Sequence, residues 1–162
     1  SDAPLARVDV ARQVLTVTCG GRVVRAYRVS TAAGVSAAAG SGGTPPGRHR
    51  IARLFGHTAA PGQVFVSRRA VKGQILPPVA WRAGGGRDYV LTRILWLEGL
   101  EPGVNRGAGI DSRARYIYIH GTNQEQLLGT PASHGCIRMA NADVISFFDY
   151  AKRHRDLVVE IA

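Results

Sequence analysis

The sequence predicts a mainly β protein (β-rich α+β) with one main helix late in the chain. Three observations carry this prediction. Short stretches of alternating apolar and polar residues recur along the chain, as half-buried strands require. Glycine is frequent, at 20 of 162 residues, and clusters between those stretches, where turns belong. Helical segments do not alternate regularly with the strands, which excludes a doubly wound α/β fold.

The strands are predicted in chain order. Residues 5–10 alternate, and residues 14–18 and 22–30 form a hairpin around a turn at Cys19-Gly20-Gly21. Residues 36–46 form a loop of small side chains. Further strands are predicted over 48–54, 63–67, 89–97 and 157–161. The segment 69–88 is rich in proline and glycine, and we interpret it as a long loop of functional or mobile character.

The helices are predicted from caps and apolar spacing. Asn141 is the N-cap of the main helix, and Asp143 suits its positive first turn. Its apolar stripe is Val144, Ile145, Phe148 and Ala151. Basic residues end it over 152–155, and the helix dipole accounts for His154 there. A shorter helical turn over 123–128 is capped by Asn123 and stopped by Gly129.

Length and charge bound the possible functions. The chain has the size of one domain, 1–162, and 45% hydrophobic residues give it a core. No apolar run approaches the ~20 residues of a membrane span, so no membrane insertion is expected. The net charge of +10 favours an anionic partner, or reflects an arginine-rich composition. No zinc-finger spacing, RNA-recognition motif or arginine-rich helix is present, so no nucleic-acid partner is expected. A non-catalytic basic module that binds nucleic acid or peptidoglycan without turnover is the weaker hypothesis.

The segment 116–139 carries the candidate chemistry. Read as a strand, it puts Tyr116, Tyr118 and His120 on one face, with Ile117 and Ile119 on the other. The isoleucine face suits a core, and the other face suits the wall of a cleft. His120 ends the strand, where functional side chains are often held.

Cys136 is the candidate nucleophile. His134 lies two positions before it, and the main helix is expected just after it; a histidine or a helix N-terminus lowers a thiol pKa. Gly135 permits close approach of a substrate carbonyl, and the N–H groups of 134–136 could face an oxyanion. His120 could take the thiol proton, with its second nitrogen held by a carbonyl such as that of Gly121.

Two alternatives for Cys136 stay open. Most lone cysteines are inert buried side chains, which is our interpretation of Cys19. His120, His134 and Cys136 could also form a zinc site, although the H-x-C spacing is unusual and no fourth ligand is apparent. We expect no metal and no cofactor. His49 and His57 are interpreted as surface or packing residues.

The motif His120-Gly121-Thr122, followed by SHGCIRM over 133–139, resembles the L,D-transpeptidase catalytic domain of the YkuD type. Residues 29–32 and 44–51 are similar to upstream segments of that family, and 91–97 and 99–103 resemble a short single-domain proteobacterial branch. The resemblance implies a YkuD-like mixed β-sandwich with the cysteine at the end of a groove. No substrate flap can be transferred to 69–88, where the similarity is poor.

The resemblance also implies a reaction. Cys136 attacks the carbonyl of the L,D bond between the third and fourth residues of a peptidoglycan tetrapeptide stem, typically after meso-diaminopimelate. D-Ala leaves, and an acceptor stem amine resolves the thioester and forms a crosslink. An L,D-carboxypeptidase that uses water is the alternative. Acylation of Cys136 by carbapenems is a further implication of this chemistry.

The resemblance assigns roles residue by residue. Cys136 is the nucleophile and His120 the acid/base, while Gly121 orients His120. The loop residues Ser133, His134 and Gly135 line the thiol and the oxyanion pocket. Tyr118, Thr122 and Arg138 are expected at the substrate, where Arg138 either binds a stem carboxylate or braces the loop.

The partners follow from these roles. They are anionic peptidoglycan stems, whose D-Glu and diaminopimelate carboxylates would meet an arginine-lined groove. A monomer is the default expectation. The periplasm or cell envelope is the expected location, with the cytoplasm as the alternative because residues 1–5 show no secretory pattern.

Overall fold

A computed structural model describes residues 3–82 and 86–162. The strands, in chain order, are β1 Leu5–Asp9, β2 Val14–Cys19, β3 Arg22–Ser30, β4 Gly47–Phe55, β5 Gln63–Val66, β6 Arg69–Ile75, β7 Val90–Gly99, β8 Tyr118–Gly121, β9 Ile137–Met139 and β10 Val158–Ile161. Helix α1 spans Asn141–Arg153, and short 3₁₀ helices span Pro78–Arg82 and Glu125–Leu127. The predicted mainly β class with a late helix is confirmed.

The sheet closes on itself. The strand order is β4-β10-β1-β2-β3-β9-β8-β7. The first of these strands, β4, also pairs with the last, β7, which completes a ring. The pairs β1–β10 and β8–β9 are parallel and the other pairs are antiparallel, so the sheet is mixed. The hairpin β5–β6 extends from β7 as an appendage of the ring.

The core lies inside the ring and under α1. Leu95, Leu97 and Ile119 are fully buried in the core cluster, and β8 is buried along its whole length. Helix α1 contributes Phe147 and Phe148, also fully buried, and the core cluster continues into β9. In the described ranges, no helix is long and apolar enough to cross a membrane.

Several local predictions are confirmed. Gly20 and Gly21 form the two-residue turn between β2 and β3, with φ of +59° and +77°, which side chains with a Cβ seldom adopt. His49 is a packing residue: it is fully buried and lies 2.8 Å from the Ser112 hydroxyl through Nε2. His57 packs edge-on against Phe148.

The prediction of a loop over 69–88 is wrong in its first part. Residues Arg69–Ile75 form β6, and Pro78–Arg82 form a 3₁₀ helix; residues 83–85, including Gly84 and Gly85, lie outside the described residues. Strand β6 pairs with β5 but is mostly exposed on both faces, so its sequence lacks the alternation that signals a strand. Its hairpin turn, Ser67-Arg68, also lacks glycine.

Three further assignments are corrected. Ala140 occupies the N-cap position of α1, while Asn141 is the first helical residue and its side chain is buried in hydrogen bonds to other segments. Asn123 does not cap a helix, because its side chain bonds the backbone of Arg87 and Tyr89. Cys19 is partly exposed at the end of β2.

Candidate active site

Cys136 lies at the start of β9, beside β8. The parallel pairing sets Ile119 opposite Ile137, one residue after the thiol. Sγ accepts the Tyr118 N–H at 3.3 Å and donates to the Tyr116 carbonyl at 3.4 Å. Two backbone groups of the neighbouring segment therefore fix the thiol.

Tyr116 departs from the predicted strand. Strand β8 begins at Tyr118, and Tyr116 has a φ of +56°, in the left-handed region that few residues other than glycine adopt. Its exposed ring stacks on Trp96, with centroids 5.9 Å apart. This backbone conformation places the carbonyl that accepts from the Cys136 thiol.

His120 is buried on β8, which pairs directly with β9, the strand that follows Cys136. Its Nδ1 lies 2.7 Å from the Gly121 carbonyl, which confirms the predicted contact. Because a carbonyl only accepts hydrogen bonds, Nδ1 carries the proton of the neutral ring and Nε2 presents its lone pair. The arrangement therefore leaves the lone pair of Nε2 able to accept a proton.

Burial favours the neutral form of both His120 and Cys136. It lowers the pKa of His120, against the opposing effects of the Gly121 carbonyl and Asp88. It also raises the pKa of the Cys136 thiol, an effect that the Tyr118 N–H and Arg138 only partly oppose. Both shifts have the same origin, because a charged group loses more hydration than a neutral one.

The expected lowering of the Cys136 pKa is therefore wrong. Strand β9 separates the thiol from α1, and the first helical amide, that of Asn141, donates to Glu125. The first amide of the helix is thus engaged with a carboxylate. Both shifts therefore favour a thiol and a neutral imidazole in the resting pair.

Arg138 is buried, with 3% of its surface exposed. Its Nη2 lies 2.6 Å from Asp88 Oδ2, and its Nη1 lies 2.9 Å from Gln124 Oε1. Of its two expected roles, these contacts support bracing, because they fix the segment before β7 and the segment after β8 to β9. Thr122 is fully buried nearby, and its hydroxyl accepts the Gln124 N–H.

Hydrogen bonds between its own residues hold the loop 133–136. Ser133 Oγ donates to the Cys136 carbonyl, and the Gly135 N–H lies 3.3 Å from Ser133 Oγ. Gly135 has a φ of +131°, and a Cβ there would lie 3.2 Å from the Gly43 carbonyl, so glycine suits this position. His134 is exposed at the surface of this loop.

The loop amides are available to a ligand. Across 3–82 and 86–162, the His134 and Cys136 N–H groups have no hydrogen-bond acceptor. Backbone N–H groups without acceptors next to a nucleophile are what an oxyanion requires. The residues predicted to line the thiol are thus brought together by the structure.

Sequence reasoning missed a buried polar brace, formed by Thr92, Asn141 and Glu125. Asn141 accepts from the Thr92 hydroxyl and donates to the Thr122 carbonyl and the Glu125 carboxylate. Thr92 has a φ of +76° at a bulge in β7, opposite the end of β8. No sequence signal marks Thr92, whereas Asn141 has a cap-like context that pointed to a different role.

The sequence patterns also gave no indication of a role for Arg68 or Arg115. Arg115 donates to the carbonyls of Ser36, Ala37 and Gly43, which fixes the 36–43 loop beside Gly135. Arg68 lies at the tip of the β5–β6 hairpin and donates to the Tyr118 hydroxyl at 2.8 Å. Both contacts join segments distant in sequence, so local patterns do not reveal them.

The zinc alternative finds no ligand set in the structure. Among the residues it describes, no three His, Cys, Asp or Glu side chains converge as a metal site would need. His134 is exposed, and the Nδ1 atom of His120 is used by the Gly121 carbonyl.

Solved structures share this fold. LD transpeptidase LdtMt1 in complex with imipenem is 18% identical, with a TM-score of 0.57, and the match covers 100% of this chain and 60% of that one. An L,D-transpeptidase from Xylanimonas cellulosilytica is 20% identical, with a TM-score of 0.53 and coverage of 100% and 61%. L,D-transpeptidase 3 from Mycobacterium tuberculosis, in complex with a faropenem-derived adduct, is 13% identical, with a TM-score of 0.56 and coverage of 98% and 60%.

These structures confirm the predicted YkuD-like fold, and the chain spans about 60% of their length. None of the curated proteins matches the chain. The sequence model of the YkuD family, described as the L,D-transpeptidase catalytic domain, matches residues 3–161. The chain therefore belongs to the L,D-transpeptidase catalytic domain family.

Proposed function

We propose that this protein is a cysteine acyltransferase that crosslinks peptidoglycan stems, acting as a single catalytic domain over 1–162. The observation that carries the proposal is the hydrogen bond from His120 Nδ1 to the Gly121 carbonyl. It leaves Nε2 as an acceptor on the strand next to Cys136, which is how a general base for a neutral thiol must be presented.

The proposed first half-reaction begins with attack on the donor carbonyl of the L,D bond that joins meso-diaminopimelate to D-Ala. A Cys136 Sγ–carbon bond forms as the thiol proton moves to His120 Nε2. The His134 and Cys136 amides stabilise the oxyanion. The carbon–nitrogen bond then breaks, and the imidazolium protonates the departing D-Ala amine. The product is a thioester on Cys136.

The second half-reaction reverses the proton path. His120 takes a proton from the acceptor stem amine as the amine attacks the thioester. The carbon–sulfur bond breaks, and the thiolate recovers its proton from the imidazolium. Peptidoglycan lies outside the cytoplasm, so we propose the cell envelope as the site of action.

A product assay tests this proposal. The protein is incubated with purified tetrapeptide-stem muropeptides, and the products are separated by mass. Crosslinked dimers together with released D-Ala support transpeptidation, whereas tripeptide stems without dimers would support the carboxypeptidase alternative. Cys136→Ser and His120→Gln are expected to lose at least about 1,000-fold and 100-fold in turnover, respectively. Full activity in Cys136→Ser would overturn the mechanism.

Carbapenem labelling provides independent support. Two solved structures of the fold carry imipenem or a faropenem-derived adduct. We expect imipenem to add its mass once to the intact protein, at Cys136. An unchanged mass in the wild type, or equal labelling of Cys136→Ser, would count against the proposed nucleophile.

A further inference from the structure

We propose that Arg68 binds a carboxylate of the donor peptide at the rim of the thiol site. This inference rests on the proposed function and deepens it. It moves the carboxylate-binding role from Arg138, whose guanidinium is buried and paired, to an arginine on the β5–β6 hairpin.

The hairpin presents Arg68 at a defined point. Val66 pairs with Arg69, so Ser67 and Arg68 form a two-residue turn, with φ of +48° and +65°. Phe65, just before the turn, is buried in a small cluster with Ile94 and Tyr118. The tip of the hairpin is therefore anchored next to the strand that carries His120.

Three aromatic side chains fix the guanidinium. Arg68 Nη1 donates to the Tyr118 hydroxyl at 2.8 Å. Its Cζ lies 4.7 Å from the Trp96 ring centroid and 5.2 Å from that of Tyr116. A cation held against aromatic faces keeps its charge and loses little further freedom on binding.

Tyr118 links this cation to the nucleophile. Its backbone N–H donates to Cys136 Sγ, and its hydroxyl accepts from Arg68. One tyrosine side chain therefore separates the two groups. Because an extended peptide advances about 3.3–3.6 Å per residue, we place the bound carboxylate within a few residues of the attacked carbonyl.

The other arginines near the site are already engaged. Arg138 pairs with Asp88, and Arg113 pairs with Glu98. Arg115 and Arg93 donate to backbone carbonyls. In the part of the chain that the structure describes, no carboxylate forms an ion pair with Arg68, whose hydrogen-bond partner is a neutral phenol.

The ligand chemistry follows from the guanidinium. Its planar fork matches a carboxylate with two parallel hydrogen bonds. The proposed donor offers three carboxylates near the scissile bond: that of D-Glu, the side-chain carboxylate of diaminopimelate, and that of the leaving D-Ala. All three present the same chemistry, and the experiment distinguishes them.

The test is a cycle of enzyme variants and substrates. D-Ala release is measured for wild type and Arg68→Gln with a tetrapeptide donor that has all carboxylates free, and with three donors that are each amidated at one carboxylate. With the free donor, Arg68→Gln should lower kcat/KM by about 10- to 100-fold, as expected for a charge-assisted contact. Amidation of one of the three carboxylates should lower the wild-type kcat/KM by the same factor. With that donor, Arg68→Gln should lower kcat/KM no further.

Controls separate binding from structure. Arg69→Gln, at the exposed neighbouring position, should keep kcat/KM within about twofold. Arg68→Lys should retain part of the preference for the free donor, since it retains the charge. Iodoacetamide should alkylate Cys136 at the same rate in wild type and Arg68→Gln, which shows that the thiol site is intact.

The outcomes are distinguishable. The carboxylate role is overturned if the wild type releases D-Ala and Arg68→Gln keeps the same kcat/KM, or if Arg68→Gln lowers kcat/KM equally with every donor. Either result leaves the proposed function standing. No D-Ala release by the wild type with any donor overturns the proposed function, and the Arg68 proposal with it.

Discussion

Replacing Asn141 with alanine should destabilise the protein and lower its rate of D-Ala release. Asn141 is fully buried, accepts from the Thr92 hydroxyl, and donates to the Thr122 carbonyl and the Glu125 carboxylate. It also packs on the strand end that holds His120: a Cβ at Gly121 would lie 2.5 Å from Asn141 Oδ1. The side chain therefore supports the backbone whose Gly121 carbonyl contacts the His120 ring.

The magnitude follows from the groups left behind. In Asn141→Ala, the Thr92 hydroxyl and the Thr122 carbonyl lose their partners in a buried site, at about 1–3 kcal/mol each. A loss of about 4 kcal/mol in the free energy of unfolding lowers the Tm of a domain this size by roughly 8–16 °C. Displacement of the Gly121 carbonyl should lower kcat/KM for D-Ala release by about 10- to 100-fold.

Two assays check this prediction. Calorimetry gives the Tm, and D-Ala release is measured well below it, so that unfolding does not contribute. Lys152→Ala, exposed on the same helix, is the matched control and should change stability by less than about 0.5 kcal/mol. An unchanged Tm in Asn141→Ala would refute the brace, and a lowered Tm with full activity would refute its link to His120.

Three further predictions follow from the charges around the site. Because burial raises the pKa of Cys136, its alkylation rate by iodoacetamide should keep rising beyond pH 9, the ordinary thiol value; a plateau below pH 7 would indicate a thiolate–imidazolium pair instead. Burial lowers the pKa of His120 and His49, so the unfolded state binds their protons first as pH falls below 6.5; the Tm should therefore drop from pH 7 to pH 5, and a constant Tm would contradict this. The Asp88 carboxylate raises the pKa of His120, so Asp88→Asn should move the acid limb of kcat/KM to lower pH, and a move to higher pH would contradict the assignment.

The sequence predicts what local patterns encode. The turn at Gly20 and Gly21, the body of α1 and the contact between His120 and Gly121 each depend on neighbouring residues, and each is found in the structure. Strand β6 was missed because its exposed faces remove the alternation on which strand prediction depends.

The electrostatics of the site could not be read in the same way. Whether Arg138 faces substrate or protein depends on Asp88, 50 positions earlier in the chain. The thiol pKa depends on its burial beside β8, which the pairing of β8 with β9 creates. The same holds for Arg68, which reaches Tyr118 across 50 positions.

The central claim is that Cys136 carries the donor peptide as a thioester. Its most direct test is peptide mapping of protein that is quenched in acid during turnover with the tetrapeptide donor. The proposed mechanism predicts one adduct, on the peptide that contains Cys136, with the mass of the donor acyl group after loss of D-Ala. Release of D-Ala without that adduct, together with undiminished release by Cys136→Ser, would contradict it.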